Sequence, residues 1–139
     1  KEKQISFKSP DTIEKLHTEL KGCFQDKEAE LLKALQGEQL SETLVFPHNQ
    51  NRLVEVFRRL KYNGILLNTD TEIKNWICST FHFIKKGYPE PQPFNGGTVW
   101  NNLNKGRGEP TKKQRICEVD WLTYRSPKQL EEAAEKEKL

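Results

Sequence analysis

The chain has 139 residues, 34% of them hydrophobic and 31% charged, with 23 basic and 20 acidic side chains and a formal net charge of +3. That length suits one domain, or one domain with an appended helical arm, built on a small core with much solvated helical surface. No run of about 18 apolar residues is present to span a membrane, no charged segment followed by an apolar stretch opens the chain as a secretory signal would, and the hydrophobic content lies above the disordered range.

Cys23, Cys78 and Cys117 are widely spaced and form no C-x-x-C pair. They suggest neither a disulfide framework nor a Cys-based zinc site, and they fit a reducing, cytoplasmic setting. His17, His48 and His82 are equally scattered, so no metal and no cofactor is expected. The chain begins at Lys1 and holds no Met, and it reads as a piece of a longer protein.

In chain order, Ser9-Pro10-Asp11 predicts a helix start: Ser caps, Pro suits the first turn and Asp favours the positive end. Ile13, Leu16 and Leu20 form its stripe. Asp26 predicts the cap of a second helix carrying Leu31, Leu32 and Leu35, with Gly37 as its stop. These two helices are acidic and thinly apolar, so residues 1–42 read as an N-terminal helical arm. Its expected role is a homodimer contact or the docking of a partner.

Thr43-Leu44-Val45-Phe46 is a short β-type run ended by Pro47. Asn49 predicts the cap of a helix running to Tyr62, with the stripe Leu53, Val56, Phe57 and Leu60. Arg52, Glu55, Arg58, Arg59 and Lys61 fall on its other side, the expected outer face. Asn63-Gly64 ends it through a left-handed residue. Ile65-Leu66-Leu67 has the length of a minimal strand. Thr69-Asp70-Thr71-Glu72 is a capping box. The helix it opens, residues 70–84, carries Ile73, Trp76, Ile77, Thr80, Phe81 and Ile84 and must lie in the core. Gly87, Pro89, Pro91 and Pro93 make residues 85–93 a non-helical breaker.

Gly96-Gly97-Thr98-Val99-Trp100-Asn101-Asn102-Leu103-Asn104-Lys105 reads as a short helix, apolar on one side and crowded with amides on the other. At about 100° per residue, Val99, Trp100 and Leu103 share one stripe. Thr98, Asn101 and Lys105 fall opposite, with Asn102 on the flank. Asn is a mediocre helix former, so an Asn-rich helix surface calls for a reason. Asn pairs bidentately with an adenine edge, and Lys holds a phosphate or a guanine. Beyond the helix, Gly106 to Pro110 is turn material, and residues 115–119 alternate like a strand. Residues 126–139, rich in Glu, Ala and Lys, read as an exposed C-terminal helix or tail.

Charge is distributed unevenly. Residues 85–128 hold nine basic and four acidic side chains, whereas residues 1–44 hold seven and nine. Positive charge therefore gathers around the amide-rich helix, the electrostatic footprint of a nucleic-acid contact. The element order from Asn49 predicts a mainly α fold with short β-strands: a winged helix-turn-helix-like core over residues 43–125. In it, residues 50–62 and 70–84 are the first two helices, residues 97–105 enter the major groove, and residues 106–119 are the wing. The predicted DNA-binding residues are Thr98, Asn101, Asn102, Lys105, Arg107, Lys112, Lys113 and Arg115, and the predicted partner is double-stranded DNA. The connection between the two core helices, residues 85–94, is much longer than the usual three or four residues.

The run Asn49-Gln50-Asn51-Arg52-Leu53, then Phe57-Arg58-Arg59-Leu60-Lys61, Gly64-Ile65 and Thr69, resembles the C-terminal region of RteC-type regulators of conjugative transposons. The Phe-rich helix end followed by Phe94 and Val99-Trp100 shares that likeness. It covers about residues 43–103. The resemblance implies a bacterial DNA-binding regulator of excision genes in a mobile element. The Pro-rich insertion and the basic stretch after Leu103 depart from the pattern.

Catalysis is not expected. Glu72, Glu109, Glu118 and Asp120 show no paired spacing, and no G-x-S-x-G, P-loop or H-E-x-x-H occurs. No small-molecule substrate is evident. Gly96-Gly97 before a helix suits a phosphate of the DNA backbone. A second reading, of a different class, is a non-catalytic helical interaction module whose acidic helices and leucines dock a partner protein.

Overall fold

The computed structural model describes residues 5–105, 107, 110–117, 119, 121 and 122. The predicted C-terminal helix or tail lies outside them. The elements are α1 (Pro10–Leu20), α2 (Glu28–Leu35), β1 (Leu44–Phe46), α3 (Gln50–Tyr62), α4 (Asp70–Thr80), β2 (Phe81–Phe83), β3 (Gln92–Pro93) and α5 (Gly96–Lys105). Short 3-10 turns follow α1 (Lys21–Cys23) and α5 (Lys112–Gln114). The chain is thus mainly helical with one small sheet.

Local chemistry sets the helix ends. The Ser9 side chain accepts from the backbone N–H of Asp11, and Pro10 sits in the first turn of α1. Asp26 does not cap α2. It takes a left-handed backbone, φ 67°, and Lys27 occupies the cap position without a side-chain bond. Gly37, at φ 88°, closes α2, and Glu38 N–H reaches back to the Lys33 carbonyl. Asn49 caps α3, and Gly64, at φ 73°, ends it. Thr69 and Glu72 form the full reciprocal capping box of α4.

The sheet runs β1-β2-β3. β1 pairs parallel with β2, so α3 and α4 form the crossover between them. β2 and β3 form an antiparallel hairpin. Here the structure corrects the sequence: α4 stops at Thr80, and Phe81–Phe83 is a strand instead of the last helical turn. Phe81 and Phe83 point inward and His82 outward, a period of two that bonding to β1 rewards more than one further helical turn. Ile65-Leu66-Leu67 makes only an isolated antiparallel bridge, between Leu66 and Phe7, supported by Lys8 N–H to the Ile65 carbonyl and Leu67 N–H to the Ser6 carbonyl. No described residue of 106–119 is in a strand. The sheet's only hairpin among the described residues precedes α5 rather than following it.

One core draws on all five α-helices and on β1 and β2. Phe57, Trp76, Phe81, Phe24 and Phe46 form a chain of ring contacts with centroids 5.2–6.0 Å apart, and Phe94 packs edge-on against Phe83 at 5.3 Å. Trp76 and Phe81 are buried as the helical stripe predicts, whereas Trp100 is only half-buried. Leu16, Leu20, Leu31 and Leu35 are fully buried in the same cluster. The residues expected to form an arm therefore place their apolar side chains in the common core.

The side of α3 expected to be outermost is also covered. Glu55 and Arg59 are at most 1% exposed, and Arg58 is buried with its guanidinium 5.0 Å from the Tyr62 ring centre. Arg59 pairs with Glu55 one turn away and donates to the carbonyls of Cys117, at 2.7 Å, and Leu122, at 3.1 Å. A stretch of chain that sequence periodicity could not locate lies over this polar side. The buried charges tie it down in place of a strand ladder.

Candidate nucleic-acid interface

α5 packs against both α3 and α4. Val99 and Leu103, at i and i+4, supply the contact face. Asn95 caps the helix: its side chain accepts from Thr98 N–H at 3.0 Å, and its own N–H donates to Gln50 Oε1 at 2.9 Å. That bond fixes the start of α5 against the start of α3. The end of α5 is fixed by Asp70, which pairs with Lys61 of α3 and accepts from Asn104 Nδ2 at 2.9 Å. Tyr62 adds a 3.4 Å hydroxyl contact to the Leu103 carbonyl. Burial and the neighbouring Arg58 lower the Lys61 pKa.

With both ends held, α5 presents a defined outer side. Thr98 and Lys105 are exposed and Asn101 is half-exposed, while Arg107 and Lys113 are exposed beyond the helix. Lys112 belongs to the 3-10 turn Lys112–Gln114. Arg115 is half-buried.

Asn102 is the correction in this set. It is fully buried, and neither its Oδ1 nor its Nδ2 has a partner among the described residues. A base edge cannot reach it in this fold. Its flank position on the helical wheel, about 60° from Val99, turns inward because α5 is gripped by two helices rather than one, which widens the buried arc.

The β2–β3 connection, read from sequence as a mere breaker, also carries candidate contact residues. Lys85, Lys86, Gly87 and Tyr88 are all exposed there. The signal available was the pair of lysines beside an aromatic within a Pro-punctuated loop.

Other chemistry is sparse. No group of three or more His, Cys, Asp or Glu side chains converges among the described residues. None of the three cysteines is in a disulfide among the described residues, and burial raises the pKa of Cys23 and Cys78. An open groove of about 510 Å³ beside α2 is lined by the charged residues Lys27, Glu30, Lys33, Glu38 and Glu42 together with residues 39–41, 43 and 44. Among the described residues, no helix is long and apolar enough to cross a membrane. No family model, curated protein or solved structure matches this chain.

Proposed function

We propose that the protein is a sequence-specific DNA-binding regulator whose reading element is α5. One observation carries the reading: α5 is seated on α3 and α4 by Val99 and Leu103 and held at both ends, while Thr98, Asn101 and Lys105 face out. A helix that reads bases must be immobilised on its own domain and free of it on the other side. Amides and cations on the free side match base edges and phosphates. Arg107 and Lys113 extend the positive charge past its C-terminal end.

In this reading the trihelical group α3, α4 and α5 is a helix-turn-helix variant. Its turn is enlarged into the β2–β3 hairpin. Asn101 reads an edge, Thr98 and Lys105 contact phosphates or a guanine, and Arg107, Lys112, Lys113 and Arg115 hold the backbone. Regulation of a mobile element, and a homodimer on two half-sites, belong to the same proposal. The protein-docking alternative needs exposed leucines in the first two helices, and Leu16, Leu20, Leu31 and Leu35 are buried while Leu32 is half-buried.

A gel shift or anisotropy titration against DNA flanking the gene tests the proposal. Binding should fall log-linearly with salt, as several released counterions require. A salt-independent interaction, or none with any duplex, removes it.

A further inference from the structure

The segment between β2 and β3 is a shaped projection. Lys85 to Tyr88 make a tight turn, with Tyr88 N–H donating to the Lys85 carbonyl at 3.1 Å and Gly87 at φ +89° in the third position. That is the arrangement of a type II turn, which needs a residue tolerant of positive φ there. Pro89, Pro91 and Pro93 restrict the return limb, and Gln92 Nε2 donates back to the Glu90 carbonyl at 3.0 Å. The base of the hairpin is anchored by Phe83 and Phe94, packed edge-to-face. The return strand enters the Asn95 cap of α5 within two residues. The hairpin and the reading helix are therefore continuous and share one rigid support.

The projection carries a surface that the fold itself does not need. Lys85 and Lys86 are exposed, and Glu90 is the only acid in residues 84–91. Tyr88 is 50% and Ile84 44% exposed, and the Lys85 ammonium lies 4.9 Å from the Tyr88 ring centre. A large aromatic left in water beside two cations, on a turn already ordered, lowers the entropy lost on binding. Its charge is complementary to a polyanion, and its sign matches that of α5 and the residues after it.

We propose that the β2–β3 hairpin is a second DNA contact, with Lys85 and Lys86 on backbone phosphates and the Tyr88 ring against the adjacent sugar-phosphate wall. It takes the place of the wing expected at residues 106–119, and it rests on the reading of α5 as a DNA-contacting helix. The contact is sequence-independent, because phosphates carry no base identity.

The full chain is compared with Lys85→Ala/Lys86→Ala and with Tyr88→Ala, on flanking duplex and on random duplex, across a salt series. Removing two lysine–phosphate interactions should lower the log-log salt slope by about 1.8. The ratio of wild-type to double-variant affinity should then widen about 12-fold between about 200 and about 50 mM salt, equally on both sequences. Tyr88→Ala should weaken binding to both with the slope kept. These side chains are exposed, so the thermal midpoint should not move. Three results would overturn the inference. If the wild type binds duplex and the double variant keeps its slope, the hairpin is off the DNA while the α5 reading survives. If the wild type binds no duplex, both fall together. If the lysines matter only for vesicles containing phosphatidylserine, the surface belongs to a membrane.

Discussion

Arg59 offers the sharpest test of how the fold is held. Its guanidinium and the Glu55 carboxylate are at most 1% exposed, and it donates to the Cys117 and Leu122 carbonyls. Glu55→Leu leaves a cation buried against neutral carbonyls, and breaking such a pair costs about 3–5 kcal/mol. Arg59→Met takes the Arg59 cation away from the buried Glu55 carboxylate at a similar cost and also removes the donor to two carbonyls, each worth about 1–3 kcal/mol if left dry. Against a total stability of about 5–15 kcal/mol, that single change brings the domain close to unfolding. The double variant Glu55→Leu/Arg59→Met removes both charges of this pair, so it should be more stable than Arg59→Met alone by about 2 kcal/mol or more. Urea unfolding reads the three midpoints at constant slope. Proteolysis should cut residues 110–122 faster in Arg59→Met and in the double variant, since both lack the donor. If Arg59→Met loses under about 1 kcal/mol, or the double loss equals the sum of the singles, the buried pair does not organise that segment.

Asn101→Ala should cost about 1–3 kcal/mol on the specific site and little on random DNA, read by competition titration, and equal losses on both would reduce Asn101 to a positioning role. Asn102→Leu, by contrast, should leave DNA binding unchanged and raise the urea midpoint, because a buried amide without partners costs about 1–3 kcal/mol; a lowered midpoint would mean that this amide has a partner after all. Deleting residues 10–36 should unfold the remainder, since Leu16, Leu20, Phe24, Leu31 and Leu35 lie in the shared core, and a folded, cooperative fragment by circular dichroism would restore the independent arm. Cys23 and Cys78, whose pKa values burial raises, should alkylate slowly at neutral pH, with rates still rising above the pH at which an exposed thiol has ionised; a plateau near neutrality would contradict that environment.

Features under local chemical control are legible along the chain. Ser9, Asn49 and the Thr69–Glu72 box mark three helix starts, and Gly37 and Gly64 mark two ends, because each answers a backbone need within four residues. The stripe of α4 identifies Trp76 and Ile77 as core, and the amide-rich side of α5 stands out for its poor helix formers. Long-range packing settles the other features. Phe81 fits both a helical stripe and a strand alternation, and pairing of Phe81–Phe83 with β1, far back in the chain, chooses the strand. A helical wheel ranks the sides of α3 and α5 by polarity but cannot say how many neighbours each side meets. It puts Glu55 and Arg59 outside and Asn102 on the flank, yet all three lie inside, where other parts of the chain cover them. Burial of a polar side chain depends on which remote segments arrive and what they bring to bond with. No periodicity in the nearby residues encodes that.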